Sequence, residues 1–455
     1  MLSWGQRLGV IAVGIVLATA LPDRSAGQNS GTGPQIQTPP QRVWQLNGRA
    51  AQIPLPAKVR YVPNPDPAML LHPYLVYMPE MNRLLMSVNR DRPHEGATMC
   101  SDDQGSTWSE TRWISVDAQG NSNAGICLGL TYLGNGKLTI HSESSPGGRF
   151  FSTDYGESWS LQAAVPPTSD GRATYGWDPL LVERDAATGQ LVRLGEGRYL
   201  RTGLPVDTLE GEPQRALIRF SADEGRTWDD EILPPQWYGC SEVALVGAAN
   251  GDLVAACRLP IPKRIIKSAD RLTDHYEGLG VSISKDGGTT WSPVHTLYEY
   301  GRHHPSLLRL PSGKLVMVYN VRLGYPPTED GFPQYGIEAV VSRDHGQTWD
   351  LERRYLLMVY RGPKVIGADR WWAAATQGTS VVLLPDGSLL TAFGSGYRVD
   401  PDPPGAEHYF PRDIGLIQWE IKRDPPNVLE GISAAPDDPA SRNEFDPYAT
   451  RPQEP

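Results

Sequence analysis

Two residues at the ends of one short apolar hairpin open the chemical reading of this sequence. Glu242 stands just before the apolar run 243–256, and Arg258 stands just after it. Asn250-Gly251 between them is a tight-turn signal, so the run folds back and brings carboxylate and guanidinium to one end. A carboxylate so placed can move a proton or activate a nucleophile, and an arginine beside it can grip an acid or a hydroxyl. Other residues of chemical interest stand at comparable places. Asp178 follows Trp177 ahead of the run 180–194, His303 and His304 precede the run 306–319, and Trp371 and Trp372 precede the run 381–393. Aromatic side chains at such a rim stack on sugar rings or pack against neighbouring loops. The bland alternative for Glu242 and Arg258 is a structural ion pair.

The elements that position these residues are repeats. The octapeptide S-x-D-x-G-x-[ST]-W occurs five times, with Asp103, Asp154, Asp223, Asp286 and Asp344 as its acids, 51, 69, 63 and 58 residues apart. Its Asp can accept backbone N–H groups in a tight turn, its Gly can take a positive φ, and its Trp can cap the core beneath. A catalytic site is needed once, so five copies mark a structural turn. Between the boxes lie six apolar hairpins, at 74–88, 130–140, 180–194, 243–256, 306–319 and 381–393. Two inner strands from each hairpin and two outer strands joined by a box make a four-stranded unit, and six such units predict an all-β, six-bladed propeller. The sixth unit ends near 414–421 without a box, so its outer strand is expected from the N-terminal side, at 42–46 or 59–62. That closure removes an open edge. The box turns lie at one end of the five blades that carry them. The loops 90–97, 142–149, 196–215, 258–278, 320–336 and 395–413 lie at the other, where they wall a pocket.

Composition narrows the function classes. The chain has 455 residues, 39% hydrophobic and 21% charged, with a net charge of −10. These values describe a globular protein and disfavour nucleic acid as a partner. Residues 1–27 read as a signal peptide. Arg7 leads an apolar run at 8–20 that is short for a membrane span, and small residues follow at Ala18-Thr19-Ala20 and Ser25-Ala26-Gly27. An exported protein with no span after cleavage is the expectation. The leader 28–40 and the Pro-rich, acidic tail 423–455 read as disordered, which leaves 41–422 for the propeller. Four cysteines, Cys100, Cys127, Cys240 and Cys257, form no C-x-x-C pair, and no motif calls for a metal or cofactor. Disulfides and free thiols both remain open, and nothing reports the oligomeric state.

Five boxes on six hairpins resemble the Asp-box (BNR-repeat) sialidase superfamily over about 71–421. The resemblance implies a glycosidase. By its pattern Glu242 would activate a nucleophile and Arg258 would belong to a triad gripping a substrate carboxylate. Arg90 would be a second triad member, and Glu95 would replace the acid/base Asp. The pattern also breaks. Leu71-His72-Pro73 stands where the family has its first Arg, the third Arg is missing near Gln334, and Gly378 stands where its nucleophilic Tyr begins blade six. Recognition of an acidic sugar would then fall to His72, Arg302, His303, His304 and Arg322. Catalysis is expected from Glu95, with Glu242 or Asp178 as the second carboxylate and Trp177, Trp371 and Trp372 at the rim. The expected partner is a glycan, with an exo-acting hydrolase first. A lyase of uronic-acid polymers and a non-catalytic glycan- or protein-binding propeller are the alternatives.

Overall fold

A computed structural model describes residues 42–46, 49–53, 57–62, 69–91, 95–143, 148–200, 214–262, 277–322, 325, 334–361, 377–394 and 414–421. Six four-stranded antiparallel sheets succeed one another as the blades of a propeller. Blade one holds Met69–Met78, Arg83–Asp91, Glu95–Ser101 and Arg112–Trp113. Blade two holds Cys127–Gly134, Lys137–Ser142, Gly148–Ser152 and Ser160–Ala164. Blade four holds Val243–Gly247, Leu253–Leu259, Gly278–Ser284 and His295–Tyr298. Blade five holds Arg302–Arg309, Leu315–Val321, Gln334–Ser342 and Tyr355–Arg361. Blade six holds Gln377–Leu383, Leu389–Gly394, Ile414–Trp419 and, out of chain order, Ala57–Tyr61. That last strand is the closure expected near 59–62: Tyr61 pairs with Gly415 and Ala57 with Trp419. The other candidate, Arg42–Leu46, pairs instead with Arg49–Ile53.

Blade three departs from the rule. Its innermost strand is split into Thr174–Gly176 and Leu181–Arg184, both paired with Leu191–Leu200. Pro179 lies in the break and can donate no ladder hydrogen bond. Arg215–Ser221 follows as the next strand, and isolated bridges from Ile218 to Ile232 and from Arg215 to Tyr238 lie outside it.

The boxes are built as their residue types require. In the first, Ser101 Oγ donates to Asp103 Oδ1 at 2.8 Å and accepts Gly105 N–H at 2.8 Å. Thr107 donates its N–H and Oγ1 to the two oxygens of Asp103, at 2.8 and 2.7 Å, and Trp108 Nε1 reaches Gly105 O at 3.2 Å. The carboxylate bonds recur around Asp154, Asp223, Asp286 and Asp344, and the indole bond recurs at Trp291. For Asp286 the hydrogen bonds from Thr290 hold the carboxyl down at about 2; for the other four, burial pulls upward and the same bonds overcome it. Stability from these groups is therefore full above the unfolded Asp value of about 3.9 and lost as pH falls toward the folded values. Thermal melts should show a falling Tm between about pH 4 and pH 2, a slope that Asp344→Ala should flatten while lowering stability by about 1 kcal/mol in urea titrations. A Tm constant across that range would remove this account.

Apolar clusters fill the seams between blades, except between two and three, where the cluster shrinks to Leu133, Leu180 and Leu194 with a few partly buried neighbours. That seam instead buries Arg149 and Arg198, both on Glu196 Oε1, at 2.6 and 2.7 Å. The four cysteines carry free thiols, and three of them are buried. No helix among the described residues is long and apolar enough to cross a membrane. The Asn250-Gly251 turn is longer than a two-residue hairpin: Ala248 N–H bonds Asp252 O at 2.8 Å, and the connection runs from Ala248 to Asp252. Glu242 and Arg258 still meet, because the ladder continues beyond the strand and Arg258 N–H donates to Glu242 O at 3.0 Å.

Candidate active site

The innermost strands share one irregularity. Their register shifts between Leu71 and Tyr74, Leu128 and Thr131, His303 and Ser306, and Gln377 and Thr379. Inside the four bulges His72, Gly129, His304 and Gly378 take left-handed φ of 50°, 65°, 52° and 70°. Hydroxyls just beyond three of the bulges stitch the strands sideways: Thr131 accepts Leu180 N–H at 2.9 Å, Ser306 accepts Val381 N–H at 3.2 Å, and Ser380 accepts Leu75 N–H at 2.8 Å. Blade three has its strand break at this level, with Trp177 and Asp178, and blade four has Glu242 just before Val243. One glycine keeps the ring close: a Cβ on Gly129 would lie 2.4 Å from Asp178 O. The repeat thus delivers one residue per blade: His72, Gly129, Asp178, Glu242, His304 and Gly378. Bulges are a recurrent way to re-aim side chains at a site.

Blades four and five supply the charges. Arg258 Nη1 donates to Glu242 Oε1 at 2.6 Å, and Arg258 Nε donates to Glu277 Oε2 at 2.6 Å, with Nη2 on the same oxygen. His304 Nδ1 lies 2.8 Å from Glu242 Oε2. Burial would raise the Glu242 carboxyl, but the Arg258 charge and His304 outweigh it and hold the group well below the usual carboxylate range. Burial pushes His304 down and keeps its imidazole neutral, opposed by Glu242 and helped by Arg258 and Arg322. Asp178 moves the other way. Burial, then the negative charge of Glu242, push its carboxyl well above the ordinary value, against the pull of Arg258. Its Oδ2 is buried without a hydrogen-bond partner. A carboxyl pushed up beside one held down is the pairing that acid catalysis beside a growing positive charge calls for.

Trp177 joins the ring from blade three. Its indole stacks on His304, with centroids 5.6 Å apart, and meets His72 edge-on at 4.9 Å. Tyr74 OH donates to Trp177 O at 2.7 Å and anchors that segment. Burial, then Asp178 and Glu242, raise the Tyr74 hydroxyl well above its ordinary value, which makes it a poor nucleophile.

Of the residues singled out in the sequence, Asp178, Glu242, Arg258, His72, His304 and Trp177 come together. His303 is buried against His304, with ring centroids 4.4 Å apart. Arg322 is 1% exposed and acts on His304 through its charge. Glu95 is ion-paired with Arg90 at 3.1 Å on blade one. Arg302 turns into the body of blade five, where it shares Glu338 with Arg354, each at 3.2 Å, beside Tyr325 OH at 2.8 Å. It is 2% exposed, so it is a structural group there. Trp371 and Trp372 lie outside the described residues, as do 1–40 and 422–455. Sequence reasoning missed Glu277 and Tyr74. Glu277 was findable: strand Gly278–Ser284 must pair with the strand carrying Arg258, and a carboxylate at its start faces that guanidinium. Among the described residues no cluster of His, Cys, Asp or Glu is arranged to hold a metal.

Fold and site define a six-bladed Asp-box propeller with an acid-bearing axial end. Residues 133–357 match the family model described as BNR repeat-like domain. Over that stretch the chain is similar to BNR repeats. Among solved structures it is similar to a protein of unknown function from Dyadobacter fermentans, with 16% identity over 80% of this chain and 98% of that one and a TM-score of 0.56. It is also similar to the endosialidase of phage phi92, with 11% identity over 83% and 71% and a TM-score of 0.52. The NanB sialidase of Streptococcus pneumoniae matches at 14% identity over 81% and 71%, with a TM-score of 0.51. Identities this low speak for the fold, on which glycosidases are built, and not for a substrate. No curated protein sequence matches the chain.

Proposed function

We propose that this protein is an exported glycoside hydrolase that removes a terminal sugar from a glycan. The reading is supported above all by the opposed ionisation of Asp178 and Glu242 at one end of the propeller axis. Asp178, protonated, would donate to the glycosidic oxygen as that bond breaks, and the carboxylate left would take a proton from the water that attacks the anomeric carbon. Glu242, ionised and held by Arg258, would stabilise the positive charge that grows at the anomeric carbon. Its low proton affinity suits a fixed charge better than a general base. Gly378 at the head of blade six and the raised Tyr74 hydroxyl argue against a tyrosine nucleophile. The apolar run at 8–20 supports export. The test is turnover of a panel of aryl glycosides and sialosides by the wild type, Asp178→Asn and Glu242→Gln. Sugar release lost in both variants supports the reading. An ultraviolet-absorbing unsaturated product would replace it with a lyase, and silence on every substrate would replace it with a binding propeller.

A further inference from the structure

The superfamily resemblance leads one to expect an acidic sugar, but the arginines of this site are engaged elsewhere. A substrate carboxylate is best held by a guanidinium fork that has no other anion. Arg258 directs Nε and Nη2 at Glu277 and Nη1 at Glu242. Arg302 is bound to Glu338, and Arg90 to Glu95. Arg322 is buried, and its charge acts on His304. His304 adds no charge, since burial keeps it neutral. The Arg258 charge is thus set against two carboxylates, one of which, Glu242, also acts on Asp178.

A second observation concerns hydrogen bonding. Trp177 Nε1 and Asp178 Oδ2 belong to adjacent residues in the ring, and both are buried without a hydrogen-bond partner. One is a donor and the other belongs to a carboxyl group that donates or accepts. A sugar hydroxyl, donor and acceptor at once, satisfies such a pair. A carboxylate, acceptor only, would satisfy the indole and push against Glu242.

We infer that the axial site selects an uncharged glycoside over an acidic sugar. The inference rests on the hydrolase reading for its choice of site, but it is tested by binding and so can fail separately. Calorimetric titration of the full chain would use methyl glycosides of neutral hexoses and pentoses, with the methyl glycosides of sialic acid and glucuronic acid alongside. The expected result is binding of at least one neutral glycoside about tenfold or more tighter than either acid. Trp177→Phe keeps the ring stack, loses Nε1–H and should weaken that binding about tenfold. Glu277→Gln leaves Arg258 with one carboxylate in place of two and should raise affinity for the acidic sugars about tenfold. Equal or tighter binding of an acidic sugar by the wild type overturns the inference, and so does an absence of binding by any neutral glycoside. A neutral sugar that binds but is never cleaved would sustain it while removing the hydrolase reading. Cleavage of a sialoside in preference to neutral glycosides would do the reverse.

Discussion

Asp178→Asn should lower kcat/KM by about 10²- to 10⁴-fold, the contribution of a positioned general acid. The pH profile should change with it. The wild type loses activity as pH rises through the raised Asp178 value, whereas Asn cannot ionise, so the residual activity of the variant should have no such alkaline limb. Glu242→Gln should lose activity too, and should move that limb to lower pH, because the charge of Glu242 helps to raise Asp178. Stability supplies an independent check. A raised carboxyl contributes stability that is complete below the unfolded Asp value of about 3.9 and disappears as pH rises through the folded value. Above the folded value Asp178→Asn should therefore melt at a higher temperature than the wild type, and near pH 4 it should hold no such advantage. Unchanged turnover, or an alkaline limb that persists in the Asn variant, would remove Asp178 from the role of acid.

Arg258→Ala should destabilise the protein by about 3–5 kcal/mol, because it strips the cation from a buried cluster and leaves uncompensated negative charge. The side chains of Glu242 and Glu277 are 5% and 3% exposed, so water cannot take over the lost interactions. Urea titration of Arg258→Ala measures the loss. Adding Glu277→Gln to that variant removes one of the stranded charges and should recover part of the stability, a non-additivity expected of residues in one network. Arg258→Lys should be intermediate, since an ammonium cannot span both carboxylates as the fork does. A loss under about 1 kcal/mol for Arg258→Ala would place this cluster among solvent-screened ion pairs.

Much of the architecture was legible from short-range pattern. The box works within eight residues: Ser101, Asp103, Gly105 and Thr107 bond one another, so its chemistry can be read without knowing what lies across the core. The six hairpins were legible for the same reason, and one of the two closing segments offered, 59–62, overlaps the strand Ala57–Tyr61 that fills the sixth blade's missing fourth place. The meeting of Glu242 and Arg258 was legible as well, since both ends belong to one hairpin. What the meeting means was not. Arg258 looked like a hand for the substrate, and a third residue, Glu277, reached from the far side of the 258–278 loop, occupies it. Arg302 likewise looked like a pocket residue until Glu338 from the third strand of its own blade and Arg354 from just before the fourth enclosed it. The ionisation of Asp178 depends on burial and on the charge of Glu242, 64 residues away and on another blade. Sequence by itself determined the repeat, the number of blades and the end at which the acids gather, because hydrogen bonds within a turn and between adjacent strands are local. Only the tertiary structure decided which charges neutralise one another and which acid keeps its proton, because Coulomb interactions and desolvation depend on distance through the folded molecule and not along the chain.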